Sequence, residues 1–357
     1  MAYTPFGRPD ERHAVLTEDF DYDLPSGLVA QHPAQPRDSC RLLVLDRVSG
    51  QVDHRVFADL PELLSEGDLL VVNETRVMPA RLKGAKDATG GAVEVLLLRE
   101  RYEDTWECLV RPGRRLKPGA RIVFGDGGLT ALVVDQLEGG GRLLHLAYST
   151  PTLMDAVHEL GEIPLPPYVT EPLEDPELYQ TVFAREERSA AAPTAGLHFT
   201  PGLLERLGRG GVRVARIGLD VGIDTFLPVT EENAEDHRIH AERFHLSEAA
   251  ARETAEAGRR GGRVVAVGTT VVRALESAYD HESGEVVPAE GRTDLFILAG
   301  FRFNVVDALV TNFHAPRSTL LMMVSAFAGR ENVMGAYRTA MREGYRFLSF
   351  GDAMLIL

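Results

Sequence analysis

The sequence predicts an α/β fold that carries a small all-β insert, and three observations predict it. Apolar runs at Arg41–Asp46 and Leu69–Val72 read as buried strands near the start. Between Arg81 and about Thr150, short β-rich runs recur with glycine between them, the pattern of a small barrel or sandwich. After Pro151, strands and helices alternate to the end, the pattern of an α/β core.

Taken in order, residues 1–18 read as a loose leader, polar and broken by Pro5, Gly7 and Pro9. An α/β domain is then expected over 19–72 and 151–357, interrupted by a β-barrel insert over 73–150. Its first strands are Arg41–Asp46 and Val52–Phe57, joined by a Ser49-Gly50 turn. A helical turn at Leu60–Leu64 ends at Gly67-Asp68, before the strand Leu69–Val72. In the insert, strands are expected at Ala92–Arg99, Thr105–Val110, Arg121–Phe124, Leu129–Val134 and Arg142–Tyr148. Beyond it, Thr152 is placed to cap a helix to Leu160, and Thr200-Pro201 opens another that Gly208–Gly211 ends. Strands at Val212–Val221 and Arg263–Val267 flank a helix from Ser247 to about Ala257. A helix over Val271–Ala278 precedes a strand at Leu295–Ala299. Helices at Thr319–Phe327 and Asn332–Arg342 and a last strand at Arg346–Phe350 finish the chain.

Composition removes several functional classes. A hydrophobic content of 44% with 25% charged residues is that of a globular protein able to bury a core. The longest apolar runs fall far short of a membrane span, and the N-terminus has no secretory pattern. Two cysteines, Cys40 and Cys108, lie far apart, which suits a reducing cytoplasm and excludes a disulfide framework and a cysteine zinc site. The net charge of −15 runs against a phosphate-gripping surface, so only local clusters could meet nucleic acid. The clusters are Arg111, Arg114, Arg115 and Lys117; Arg206, Arg209, Arg213 and Arg216; and Arg252, Arg259, Arg260 and Arg263.

Four segments carry residues suited to chemistry. In Arg263–Arg273 an apolar strand ends at Gly268, and Thr269 and Thr270 open a helix whose free N–H groups suit a carboxylate or phosphate; Arg273 follows one turn on. Ala192–Thr200 is a loop of small residues holding His198, fit to contact a ligand. Asp236–Glu242 packs His237, His240, Asp236 and Glu242 into seven residues. The spacing lacks the two-histidine helical metal pattern, so a polar ligand-binding strand or loop is expected and no metal. Thr311–Thr319 sets Asn312, His314 and Arg317 between a strand and a helix, where open sheets bind ligands.

Together these runs resemble one family. The segments are Asp19–Pro25, Asn73–Leu82, Tyr179–Phe183, Ala192–Phe199, Asp236–His240, Gly268–Thr270, Val306–His314 and Tyr345–Met354. They are similar, in the same order, to the S-adenosylmethionine:tRNA ribosyltransferase-isomerases of queuosine biosynthesis. The resemblance implies an α/β domain built on an open six-stranded barrel, with the small β-barrel inserted. It implies S-adenosyl-L-methionine as co-substrate, a tRNA acceptor, release of adenine and methionine, and no metal. His198, His314 and His240 would be the acid–base candidates. Arg76, Thr194, Gly196, Asp220, His237, Glu242, Gly268, Thr269, Thr270, Arg273, Asn312 and Arg317 would contact substrate. A cytoplasmic monomer or homodimer, with no membrane association, is expected. Departures from the family pattern are Asp220 for a histidine, Asp224 for a glycine, Glu74 for Asn or Asp, and Ile239 for a methionine. The three acids are suited to pairing with a cationic sulfonium or amine. Two alternatives stand beside this reading: a divergent transferase of the same fold using a small-molecule acceptor, and a non-catalytic RNA- or nucleotide-binding relative.

Overall fold

The computed structural model describes residues 14–137, 140–222, 225 and 227–357. Most of the expected leader, and Asp224, lie outside the described residues.

The chain begins with β1 (Arg41–Leu45) and β2 (Val52–Val56), an antiparallel hairpin. Asp46 makes its turn: one carboxylate oxygen accepts from the N–H groups of Val48 and Ser49 and from the Ser49 hydroxyl. Then come α1 (Leu60–Leu63), β3 (Leu69–Asn73) and β4 (Thr75–Val77). The insert follows as β5 (Arg81–Lys86), β6 (Ala92–Tyr102), β7 (Thr105–Arg111), β8 (Arg121–Phe124), β9 (Leu129–Gln136) and β10 (Arg142–Tyr148).

These six strands pair antiparallel in the order β5-β6-β7-β10-β9-β8, and β8 returns to β5, so the barrel closes. Gly84 lies in that seam opposite Phe124. A Cβ there would stand 2.6 Å from the Phe124 ring and the Val123 carbonyl, so closure needs glycine at this position. The interior alternates along each strand, with Val93, Val95, Leu97, Ile122, Phe124 and Leu144 buried. Next, α2 (Leu153–Leu160), capped by Thr152 as expected, adds Leu153, Ala156 and Val157 to the same apolar cluster. The strand β11 (Gly161–Glu162) pairs with β5.

The remaining elements are β12 (Glu186–Ser189), α3 (Pro201–Arg209), β13 (Arg213–Leu219), β14 (Glu242–Leu246), α4 (Glu248–Arg259), β15 (Val264–Val267) and α5 (Thr269–Ser277). After them come β16 (Tyr279–Asp280), β17 (Glu285–Val286), β18 (Ala289–Thr293), β19 (Ala308–Asn312), α6 (Thr319–Ala328), α7 (Arg330–Arg342) and β20 (Ala353–Ile356). The main sheet has nine strands in the order β18-β14-β13-β3-β15-β19-β20-β1-β2. Its inner six run from β13 to β1; β18, β14 and β2 extend the two edges. β13, β3, β15 and β19 are mutually parallel.

Both faces of this sheet are covered, which is why its strands read as unbroken apolar runs. Leu43, Leu69, Val71, Val264 and Ala266 face α4 to α7; Leu42, Leu70, Val72, Val265 and Val267 face α3 and its neighbours.

Two expected strands are corrected. Residues 295–299 are irregular: Thr293 Oγ1 accepts from Leu295 N–H, and the Leu295 carbonyl accepts from Arg273 Nε. The strand instead precedes them, as β18. The last strand is β20, not Arg346–Phe350. That stretch folds back on itself because the Asp352 carboxylate accepts from the N–H groups of Arg346 and Arg41.

Candidate active site

The site is built where β19 ends. Asn312 is its last residue, and Phe313 and His314 follow as the chain leaves the sheet. An open cleft of about 350 Å³ lies there. Thr194, Asn312, His314 and Ser318 line it with polar groups, while Phe313 and Leu320 are among its apolar walls. This is the position at which open α/β sheets bind ligands. Ser318 caps α6 through its hydroxyl, which fixes the chain beyond the cleft.

Asn312 is held on three sides. Its Nδ2 donates to His198 Nε2 at 3.1 Å and to the Leu348 carbonyl at 3.2 Å, and its Oδ1 accepts from Thr194 Oγ1 at 3.3 Å. His198 is buried in the turn Thr194–His198, and its Nδ1 lies 3.2 Å from Cys40 Sγ. Burial, with Arg346 and Arg37 nearby, holds the His198 pKa down to about 3, so the ring is neutral. His198 is not among the residues lining the cleft.

His314 lines it. Its Nε2 is 2.8 Å from Thr311 Oγ1, and its backbone N–H donates to the Tyr337 hydroxyl. The Tyr22 hydroxyl donates to its carbonyl. Burial lowers its pKa to about 3 as well, leaving a neutral imidazole beside the cleft.

A second cleft of about 260 Å³ shares Thr225 and Leu320 with the first. Arg273, Ile239, Phe296 and Thr319 are among the residues lining it. Its wall is braced by a buried ion pair between Arg273 and Glu242. The other Glu242 oxygen accepts from Gly222 N–H and from the Thr225 hydroxyl. Arg273 also donates to the carbonyls of Thr293 and Leu295.

The other expected contacts sit elsewhere. Gly268 has φ +94° and ends β15, as the turn requires, but neither it nor Thr269 nor Thr270 lines either of these two clefts. The buried Thr270 hydroxyl has no hydrogen-bond partner among the described residues. Gly196 packs on Thr181, where a Cβ would approach to 3.0 Å. Arg76 is taken up by Glu177 and Glu187, and Arg317 by Asp21. His237 bonds Glu231 at 3.0 Å and meets the Phe296 ring edge-on; His240 is exposed beside Ile239.

Of the three unexpected acids, Asp220 is partly buried, and burial raises its pKa to about 6 against the pull of Arg188 and Arg243. Glu74 pairs with Arg185 and Arg216, both at 3.7 Å, so its charge is met from within the chain. Among the described residues no group of three or more His, Cys, Asp or Glu converges as a metal site would. No helix among them is long and apolar enough to cross a membrane.

Sequence reasoning passed over Cys40, Tyr168, Leu348 and Ser349. Tyr168 and Ser349 line the first cleft with their hydroxyls 2.7 Å apart, and Leu348 lines it at φ +69°. The Tyr345–Met354 run signalled that region, though not which of its side chains face the cleft.

A mixed nine-stranded sheet, interrupted by a closed barrel and holding a buried imidazole, His314, just beyond the end of β19, makes this an α/β protein with a β-barrel insert. Residues 17–356 match the family described as queuosine biosynthesis protein, and the chain belongs to that family. It is 57% identical over 339 residues to the S-adenosylmethionine:tRNA ribosyltransferase-isomerase of Symbiobacterium thermophilum, covering 95% of this chain and 99% of that one. The enzyme of the same name from Moorella thermoacetica is 56% identical with the same coverage. The crystal structure of S-adenosylmethionine tRNA ribosyltransferase from Thermotoga maritima is 41% identical, with a TM-score of 0.55. That match covers 95% of this chain and all of the other.

Proposed function

We propose that this chain is a cytoplasmic S-adenosylmethionine:tRNA ribosyltransferase-isomerase. It transfers the ribosyl part of S-adenosylmethionine to 7-aminomethyl-7-deazaguanine in tRNA and isomerises it to the epoxycyclopentanediol of epoxyqueuosine. Adenine and methionine are released. Catalysis belongs to the α/β part, residues 19–72 and 151–357; the insert, residues 73–150, serves tRNA.

The observation that carries this reading is a neutral imidazole, His314, at a cleft whose remaining polar groups are uncharged. The sulfonium of the co-substrate acidifies its neighbouring C5′ hydrogens, and loss of one sets off departure of adenine. An imidazole that is unprotonated at working pH can accept that proton; its lowered pKa makes it a weak base, so the acidity of C5′ beside the sulfonium carries most of the driving force. The Thr311 hydroxyl on Nε2 orients the ring. Thr194, Asn312 and Ser349 offer hydroxyl and amide groups that suit a ribose or a base edge. Arg273 and Glu242 hold the second cleft in shape, and the α5 start at Gly268 lies against Ala195, the neighbour of the cleft residue Thr194.

The test is release of adenine and methionine from S-adenosylmethionine by the purified protein, followed by chromatography. Release that requires tRNA carrying the 7-aminomethyl-7-deazaguanine is expected. His314→Gln is expected to lower it by about 10²- to 10⁴-fold with co-substrate binding retained. Equal release with the free base, and none with tRNA, would overturn the tRNA acceptor in favour of a small molecule. Binding of S-adenosylmethionine with no release under any condition would overturn the transferase reading.

A further inference from the structure

A buried chain of contacts runs from the first cleft's lining, at Thr194 and Asn312, back to His198 and Cys40, which do not line it. Cys40, His198, Asn312 and Thr194 follow one another at 3.2, 3.1 and 3.3 Å. The hydrogen-bond directions are fixed by the far end. The Leu348 carbonyl takes one Asn312 N–H, so the atom facing His198 is the amide nitrogen and the atom facing Thr194 is the oxygen. His198 Nε2 is therefore an acceptor. A neutral ring that accepts at Nε2 carries its proton on Nδ1, and that N–H donates to Cys40 Sγ.

We infer that Cys40 and His198 are positioning residues: the Cys40 thiol keeps the His198 proton on Nδ1, and Nε2 then takes the second Asn312 N–H that the Leu348 carbonyl leaves free, so the cleft residues Asn312 and Thr194 are held in one orientation. His198 does not touch the cleft itself. The Phe57 ring lies 5.2 Å from the imidazole, and Phe57 also packs edge-on against Phe199, which keeps the ring plane in place. The charged groups around the pair are Arg346, Arg37, Asp38 and Asp352. A flipped Asn312 would face its amide nitrogen toward Thr194 and its oxygen toward the Leu348 carbonyl, which costs two buried hydrogen bonds. The cysteine thus acts as the soft acceptor that selects one of two histidine tautomers.

The activity arm of the test rests on the reaction proposed above; a spectroscopic arm does not. In ¹⁵N-edited spectra, His198 is expected to carry its proton on Nδ1 and to show no titration between about pH 5 and 8, where a free imidazole would titrate. A proton on Nε2, or titration in that window, overturns the inference whatever the enzyme's substrate. In kinetics, His198→Leu removes the acceptor, whereas His198→Gln returns one near Nε2. His198→Leu is expected to lower kcat for adenine release by about 10- to 100-fold at little change in KM for S-adenosylmethionine, and His198→Gln to recover most of it. Cys40→Ala is expected to fall in the same direction and Cys40→Ser to restore it. Gln as inactive as Leu would make His198 a proton carrier in its own right; Leu as active as wild type would leave it purely structural. Either result overturns positioning. If His198→Leu fails to fold, the Cys40 pair decides by the same comparison.

Discussion

Asp220 is an acid that its surroundings disfavour. Burial lifts its pKa from 3.8 to about 6, and the cations Arg188 and Arg243 only partly offset this. An aspartate with a raised folded-state pKa binds more protons folded than unfolded between those values, so its contribution to stability falls as pH rises through that window. Asp220→Asn removes the penalty. The variant is expected to melt higher than the parent near pH 7.5, by on the order of 1 kcal/mol after allowance for partial exposure, and to match it near pH 4. Thermal melts at the two pH values check this; equal stabilisation at both would show that charge is not the cause. At the same scale, His198 and His314 have the same depressed pKa, yet only His314 lines the cleft. Residue type made both visible in the sequence as candidates, and the strand-to-helix position marked Asn312 and His314. What stayed hidden was partnership. Cys40 lies 158 residues from His198 in sequence, so it read as an isolated thiol. Arg76 and Arg317 read as substrate contacts because the carboxylates that meet them come from distant segments.

Among the elements, the turn between α7 and β20 shapes the first cleft through Leu348 and Ser349. It closes tightly at Gly351, where a Cβ would stand 2.5 Å from the Arg346 carbonyl oxygen and 2.6 Å from the Phe347 carbonyl carbon. Backbone cannot yield as a side-chain tip can, so Gly351→Ala is expected to cost about 1–3 kcal/mol and to lower adenine release with it. Gly202→Ala is the control: it lies within α3 with open space around it and is expected to be neutral or to gain up to about 1 kcal/mol. Comparable melting shifts in the two variants would refute the close-approach argument. The same turn explains where sequence reasoning about the fold stopped. Helices with capping residues, such as α2 and α3, and strands buried on both faces, such as β3 and β15, announced themselves by local chemistry and unbroken apolar runs. Arg346–Phe350 and Leu295–Ala299 are rich in apolar residues too, but their backbone groups bond to partners both near (Asp352, Thr293) and far (Leu28, Phe313, Arg273) rather than in a ladder. Short edge pairs such as β4 with β12 form only because the chain has already been brought together.

For the molecule as a whole, the question is how a chain of net charge −15 holds an anionic tRNA. Its three basic clusters differ once their acids are placed. In the second, Arg209, Arg213 and Arg216 pair with Glu205, Glu256 and Glu74; in the third, Arg259, Arg260 and Arg263 pair with Glu285, Glu256 and Asp68. Arg111, at the end of β7, and Arg114, Arg115 and Lys117, between β7 and β8, are exposed and form no ion pair among the described residues. Their turn is held from beneath by the buried Arg142 guanidinium, which donates to the carbonyls of Gly113, Leu116, Gly140 and Gly141. The barrel thus offers cations that form no ion pair among the described residues, on a turn held by Arg142. Phosphate contacts release counterions, so KM for tRNA should rise steeply with salt while KM for S-adenosylmethionine changes little. Replacing Arg114 and Arg115 together by Gln is expected to raise KM for tRNA and to reduce the slope of log KM against log salt by about 1.4–1.8, at unchanged co-substrate affinity. Steady-state kinetics across a salt series measure both quantities. An unchanged slope would move the tRNA surface off this turn, and a loss of S-adenosylmethionine affinity would mean that the barrel's arginines serve the cleft instead of the nucleic acid.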